Sequence, residues 1–391
     1  MRTFQLTRDN VVDYLQQHAL VSAGTERQPE IFGCSSKNFN LVVRFNAHQH
    51  FLVKQKRLNS QGEFSRDFYD EWRVYDLLCQ FPDLSGLTQV ISEVLHHDAA
   101  NAILVSRYFP DFGELEEFHT EFNRFPPAIG RVLGEHLGTI HRLTDHRQDY
   151  CGYLIGDPPK RRSQLPRLVS DWPRIRPSIF GNYCGDALEF FRLLQQSALA
   201  EAIAGLADHW QPSCLVHRDL KLDNILIKRD WAPDLPQRPA FKIIDWELYI
   251  WGDPIYDLAT VLGSYLKLWL ESIDRMPGEP LQQALKQATT PLGLIQPLIV
   301  AFLQGYCHSF PQLLQRRSEF WTDLLQISGF YLLRRIAQNL TEHYPYDFQM
   351  RRVVQVAQRL IMDSASSAEI IFGMPVKDLE HPPLLGVGQV D

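Results

Sequence analysis

Two hydrophobic periods divide the chain. Over residues 8–20, Val11, Val12, Tyr14, Leu15 and Leu20 fall at helical spacing behind Thr7, a side chain suited to capping, and predict a leading helix. The period then shortens to two. Phe39, Leu41, Val43 and Phe45 alternate, Asn46-Ala47-His48-Gln49 turns the chain, and residues 50–56 read as a return strand with Phe51 and Val53 on one face. Phe68, Glu71, Trp72, Tyr75 and Leu78 restore helical spacing. Residues 102–106 form a further apolar strand ahead of Arg107-Tyr108-Phe109-Pro110. Strands interrupted by one helix predict a small α+β lobe over residues 1–107.

Beyond it the pattern turns helical. Ile129, Val132, Leu133, Leu137, Ile140 and Leu143 make an apolar stripe behind Pro126-Pro127. Residues 151–182, rich in Pro, Arg and Ser, read as a long loop. Short apolar runs at 213–217, 225–228 and 241–244 read as strands, and 255–362 as mostly helix. A helical lobe over 108–365 is therefore expected, followed by a loosely held tail over 366–391, which contains His381-Pro382-Pro383 and Gly386-Val387-Gly388. No internal repeat is visible.

Composition narrows the class. The 391 residues are 45% hydrophobic and 22% charged, ordinary globular usage that excludes wholesale disorder and fibrous proteins. Net charge is −7, which argues against a non-specific nucleic-acid binder, since such proteins neutralise phosphates. Six cysteines, at 34, 79, 151, 184, 214 and 307, form no CxxC pair, as expected of free thiols in a reducing compartment. The polar start lacks a secretory apolar core, and no long apolar run spans a membrane. A cytoplasmic protein with neither a membrane nor a nucleic-acid partner is the expectation.

The chemistry concentrates in Leu215-Val216-His217-Arg218-Asp219-Leu220-Lys221-Leu222-Asp223-Asn224-Ile225-Leu226 and in Ile243-Ile244-Asp245-Trp246-Glu247. One apolar strand delivers Asp219, Asn224 opens the next, and a third ends in Asp245. This order gathers a carboxylate, an amide and a second carboxylate at one end of a small sheet. Phosphoryl transfer from ATP needs that set: an acceptor to orient and deprotonate the attacking hydroxyl, and hard oxygens to hold Mg²⁺ against phosphates. An ordinary strand-end turn rich in Asp and Asn is the bland alternative.

The stretch resembles the protein-kinase catalytic loop H-R-D-L-x-x-x-N. With Gly252-Asp253-Pro254-Ile255-Tyr256-Asp257-Leu258-Ala259 following, the chain looks more like the aminoglycoside phosphotransferase/choline kinase family over roughly residues 5–345. The resemblance implies a bilobal protein-kinase-like α+β fold, with a small antiparallel-sheet lobe and a larger helical one. It also implies a kinase using ATP and Mg²⁺ on a small-molecule hydroxyl. By it Asp219 is the catalytic base, Asn224 and Asp245 are metal ligands, and His217 and Asp257 brace the loop. Lys54 is the phosphate lysine and Glu71 its partner, although Lys56 and Arg57 lie nearby and Glu63 competes with Glu71. Gly33-Cys34-Ser35-Ser36-Lys37-Asn38 falls where a phosphate-covering loop belongs, with Ser35 and Ser36 able to line phosphates, yet a plain hairpin turn accounts for it as well. Residues 106–108, with Ser106 and Tyr108 at its ends, fall at the adenine-binding hinge.

Arg218 and Lys221 depart from the small-molecule kinases and follow the protein serine/threonine kinases, in which that lysine reaches the transferred phosphate. The twelve residues from Asp245 to Asp257 leave no length for a peptide platform, and no A-P-E follows. An aminoglycoside-, choline- or sugar-like acceptor is therefore expected ahead of a protein acceptor or a non-catalytic kinase-like scaffold. His141, on an apolar stripe, reads as a core histidine. Lys160-Arg161-Arg162 reads as a solvated loop, or as a receiver for an anionic acceptor.

Overall fold

A computed structural model of the chain describes residues 4–22, 29–34, 38–59, 64, 68–155, 187–232, 238–273, 281–342 and 344–380. The strands among them are β1 (Glu30–Cys34), β2 (Phe39–Arg44), β3 (His50–Gln55), β4 (Val94–Asp98), β5 (Ile103–Arg107), β6 (Phe112–Glu114), β7 (Cys214–Val216), β8 (Ile225–Lys228), β9 (Phe241–Ile243) and β10 (Ile250–Gly252). Two compact units emerge. The first comprises Met1–Glu114, Asn224–Asp230 and Ala240–Tyr249, so it runs past the expected end at 107 and takes in two later segments.

In the first unit β1 to β5 form an antiparallel sheet in the order β1-β2-β3-β5-β4. Helix α1 (Val11–Gln17) lies on one face, where Val11, Tyr14 and Leu15 bury against Leu41, Val43, Phe51, Val53, Ile103 and Val105. Gln55, on that same face, accepts from the Leu6 N–H and donates to the Phe4 carbonyl, tying down the segment ahead of α1. The helix begins three residues later than expected, because Thr7 and Asn10 bond each other's backbone N–H groups and hold the turn before it. On the opposite face, Phe68, Val94 and Leu104 pack with Trp72 and Tyr75 of α2 (Tyr69–Gln80). Strand alternation thus sends odd-numbered β3 residues to α1 and even-numbered ones to α2. A smaller sheet, β6-β8-β9, completes the unit.

The second unit is largely helical. In chain order its helices are α3 (Leu115–Phe122), α4 (Pro127–Thr144), α5 (Gln148–Ile155), α6 (Ala187–Leu194), α7 (Ser197–Gly205), α8 (Ile255–Glu271), α9 (Leu281–Ala284), α10 (Leu292–Ser309), α11 (Pro311–Arg316), α12 (Phe320–Thr341), α13 (Phe348–Met362), α14 (Ser364–Phe372) and α15 (Val376–Glu380). Helix α8 is apolar nearly all round and buried accordingly, and the β7–β10 ribbon lies just ahead of it. Helices α4 and α10 touch backbone to backbone. A Cβ added at Gly134 would lie 2.0 Å from the Phe302 carbonyl oxygen, and one at Gly130 2.2 Å from that of Leu298. Gly134→Ala is therefore expected to destabilise by about 2–3 kcal/mol, because forced helix separation outweighs the ~1 kcal/mol that alanine gains in a helix. Chemical denaturation measures it, and a gain in stability would mean that the helices yield freely.

Two expectations need correction. Residues 151–155, expected in a long loop, belong to helix α5; residues 156–182 of that expectation, including Lys160-Arg161-Arg162, lie outside the described residues. Most of residues 366–380, expected in a loose tail, lie in α14 and α15: Ile371 and Phe372 are buried, and Gln296 of α10 donates to the Ile370 carbonyl at 2.8 Å. Residues 381–391 lie outside the described residues. No helix among the described residues is long and apolar enough to cross a membrane.

Candidate active site

Lys54 is an even-numbered residue of β3, opposite Asn40 and Leu104, so it faces α2. Glu71 lies on the helix stripe that packs there. The Lys54 Nζ meets Glu71 Oε1 at 2.9 Å and Oε2 at 3.1 Å, and both residues are buried. The same ammonium reaches Asp245 Oδ1 at 3.2 Å. Burial disfavours the Lys54 charge, yet the Glu71 and Asp245 carboxylates outweigh it and hold the ammonium above the usual lysine range. Burial also pushes the Glu71 carboxyl up, with Lys54 opposing. Lys56 projects elsewhere: its Nζ pairs with Glu247 at 2.7 Å and sits 4.3 Å from the Phe68 ring centroid. Two nearby lysines are thus told apart by their partners. Glu63 lies outside the described residues, as do Ser35 and Ser36.

Asp245 ends the 241–244 strand run in the left-handed region, φ 64°, which a non-glycine residue occupies only when its surroundings hold it there. Asn224 is buried in the same unit, and its carbonyl accepts from the Ile244 N–H at 3.0 Å, fixing the spacing of the two segments that carry the amide and the carboxylate. The amide and carboxylate oxygens of these residues are hard donors, the chemistry that Mg²⁺ prefers. At the far end of β5, Ser106 is buried with no hydrogen-bond partner for its Oγ among the described residues, while the Arg107 and Tyr108 N–H groups donate to the Glu93 and His50 carbonyls. Two backbone donors of the expected hinge are thereby already engaged.

In the second unit, Asp257, in the first turn of α8, holds the loop that carries Asp219. Its carboxylate accepts from the His217 N–H at 2.7 Å and the Arg218 N–H at 2.8 Å. This grip keeps Arg218 at φ 71°, the second left-handed non-glycine residue next to a predicted catalytic position. His141 is fully buried, bonded to the Tyr306 hydroxyl at 2.9 Å and within 3.4 Å of Asp257. The Asp219 N–H donates to His217 Nδ1 at 3.3 Å. Burial pushes the Asp219 carboxyl above the ordinary aspartate range, with Lys221, His217 and Arg335 pulling it back. Lys221 bonds Asp223 at 2.8 Å; burial works against its charge, but Asp223 and Asp219 outweigh that and raise its pKa.

Sequence reasoning missed the cations around Asp219. Arg334 and Arg335 of α12 lie more than a hundred positions along the chain, yet their charges act on Asp219. Burial, then the neighbouring Arg218 guanidinium, lowers Arg334 to about 10. Nothing in the local sequence marks them. A separate cavity of about 280 Å³, lined by Trp269, Leu285, Val356, Leu360 and Ile370, contains none of the predicted site residues.

Comparison with known proteins bears on this arrangement. No curated protein sequence matches the chain. Among solved structures, a choline kinase from Cryptosporidium parvum Iowa II superposes with a TM-score of 0.55 at 11% identity, covering 94% of this chain and 99% of the other. A glucosamine kinase in complex with glucosamine, ADP and inorganic phosphate gives 0.52 at 13%, covering 93% and 87%. The fold is thus kinase-like, with the small antiparallel sheet and the helical part expected from the sequence. The model of the phosphotransferase enzyme family matches residues 35–294, from the segment ahead of β2 to the start of α10. The chain belongs to that family.

Proposed function

We propose that this phosphotransferase moves the γ-phosphate of ATP to a hydroxyl of a small molecule, an aminoglycoside-, choline- or sugar-like acceptor. The buried Lys54–Glu71 ion pair, with Asp245 on the same ammonium, carries the reading. A lysine locked by a helix carboxylate presents a fixed positive charge to the α- and β-phosphates. Asn224 and Asp245 hold Mg²⁺, which when bound offsets the charge of the phosphate oxygens. Asp219 orients the acceptor hydroxyl and takes its proton, and Lys221 faces the transferred phosphate. Ser35 and Ser36 line the phosphates from the covering loop. Adenine lies against the 106–108 segment beside Ser106 and Tyr108; the N–H groups of 107 and 108 are engaged within the described residues, so the next backbone N–H, that of Phe109, is offered to its edge.

A small acceptor is favoured because a 3₁₀ turn and a three-residue strand fill the chain between Asp245 and α8, leaving no peptide ledge. The test supplies γ-labelled ATP and Mg²⁺ with choline and glucosamine first, then aminoglycosides and other amino alcohols, then generic protein acceptors. Transfer to a small molecule supports the proposal. Label appearing only in protein overturns the acceptor assignment, and absence of Mg-dependent nucleotide binding by thermal shift overturns the enzymatic one.

The raised Asp219 carboxyl gives a pH signature. A base must be ionised, so activity falls as pH drops through its pKa. That acid limb of kcat/KM is expected above the ordinary aspartate value of about 3.9. Lys221→Met removes a charge that lowers the Asp219 pKa, so the limb moves to higher pH. A limb that stays in place or moves down contradicts the assignment.

A further inference from the structure

The first unit carries a cluster of ligating side chains that phosphoryl transfer does not use. His18 follows the last residue of α1, and His96 and Asp98 lie on the edge strand β4. One ligand atom from each falls within 4.8 Å of the other two. A bulge between Val94 and His96 brings them together. Val94 packs with Leu104 on the α2 face, and plain alternation would return His96 to it. The extra residue resets the register: Leu95 joins the α1-side cluster, and His96 also turns to that side, its ring 4.2 Å from that of His18. His97 takes the other face, stacked on Trp72, and Asp98 returns to the α1 side.

We propose that His18, His96 and Asp98 form a binding site for a zinc-class divalent cation that staples the end of α1 to the sheet edge. Two imidazoles and one carboxylate suit zinc, and a water completes a tetrahedron. Bonds of about 2.0–2.2 Å place tetrahedral ligands about 3.3–3.6 Å apart, so the cluster closes by rotation of side chains. The supports are in place. Asp98 accepts from the Asn101 N–H at 3.0 Å, the Asn101 side-chain amide at 2.8 Å and the Tyr14 hydroxyl at 3.2 Å, which fix the carboxylate as outer partners of a metal ligand do. The buried His96 Nε2 has no hydrogen-bond partner among the described residues.

The test uses the full chain, untagged and chelator-treated, in buffer with excess Mg²⁺ so that the phosphate site takes no zinc. Zn²⁺ titrated by calorimetry is expected to bind as one equivalent and to raise the melting temperature. Co²⁺ in its place gives the visible bands of a tetrahedral N/O site, an observation that needs no variant. His96→Gln and His18→Asn, each checked for an intact circular-dichroism melt, weaken Zn²⁺ by at least about tenfold. No saturable zinc binding, no tetrahedral cobalt spectrum, or an affinity unchanged in both variants overturns the site.

Discussion

Asp219→Asn is expected to lower kcat by about 10²–10⁴-fold while leaving the fold and the KM for ATP nearly unchanged, on the proposal that Asp219 is the general base. Asparagine has the same shape and still accepts a hydrogen bond through its carbonyl, so it orients a hydroxyl; it cannot take the proton. The loop survives because its anchors lie elsewhere. Asp257 holds the His217 and Arg218 N–H groups, and the contact from residue 219 to His217 is made by its backbone. Removing a carboxylate that burial holds above its usual pKa also relieves a desolvation cost, so thermal stability stays level or rises slightly. Steady-state kinetics with the best acceptor of the panel, run beside a melting curve, decides it. A variant keeping more than about a tenth of kcat would exclude Asp219 as the base; a collapsed fold would give the residue a structural role instead.

How far the sequence could be read follows from what each signal depends on. The interior strands β2, β3 and β5 bury both faces or one face deeply, and the alternation of β2 and β3 and the continuous apolar run of β5 are visible in the letters. The edge strands β1 and β4 escaped notice. An edge strand has one neighbour and more solvent, so Glu30-Ile31-Phe32-Gly33-Cys34 and Val94-Leu95-His96-His97-Asp98 lack a clean period, and in β4 the bulge breaks it further. The Lys54–Glu71 pairing was legible because two local periods, a strand of two and a helix stripe, both point inward at one place. Arg334 and Arg335 were not, because proximity to Asp219 comes from packing between α12 and α8, which no local period encodes. The 366–380 helices were hidden by the Pro- and Gly-rich residues after them, although Ile371-Phe372 supplied the apolar anchor.

Arg317→Met is expected to destabilise the protein by about 3–5 kcal/mol, the cost of leaving a buried charge without its partner. Arg317 is 3% exposed and joins three groups through four hydrogen bonds. Its Nη1 bonds both Asp253 oxygens at 2.8 and 2.7 Å, its Nε bonds Asp323 at 2.6 Å, and its Nη2 donates to the His209 carbonyl at 2.9 Å. Asp253 also accepts from the Gln211 N–H at 2.8 Å and from the Ile255 N–H at 3.0 Å, where α8 begins. Burial raises the Asp253 carboxyl and Arg317 opposes that, so losing the guanidinium raises it further. A carboxyl whose folded pKa exceeds its unfolded one costs stability as pH rises through the folded value, because the folded state then gives up a proton it holds more tightly. The deficit of the variant should therefore be larger at pH 8 than at pH 5, and adding Asp253→Asn should recover part of it at pH 8. Denaturant melts at the two pH values measure this, and a loss below about 1 kcal/mol, or one independent of pH, would show that solvent reaches the carboxylate. The consequence for activity follows from position: Asp253 fixes the first turn of α8, and that turn holds Asp257 against the loop bearing Asp219. The buried cation thereby sets the position of Asp219, the proposed base, without touching a substrate, so kcat in Arg317→Met should fall even well below its melting temperature.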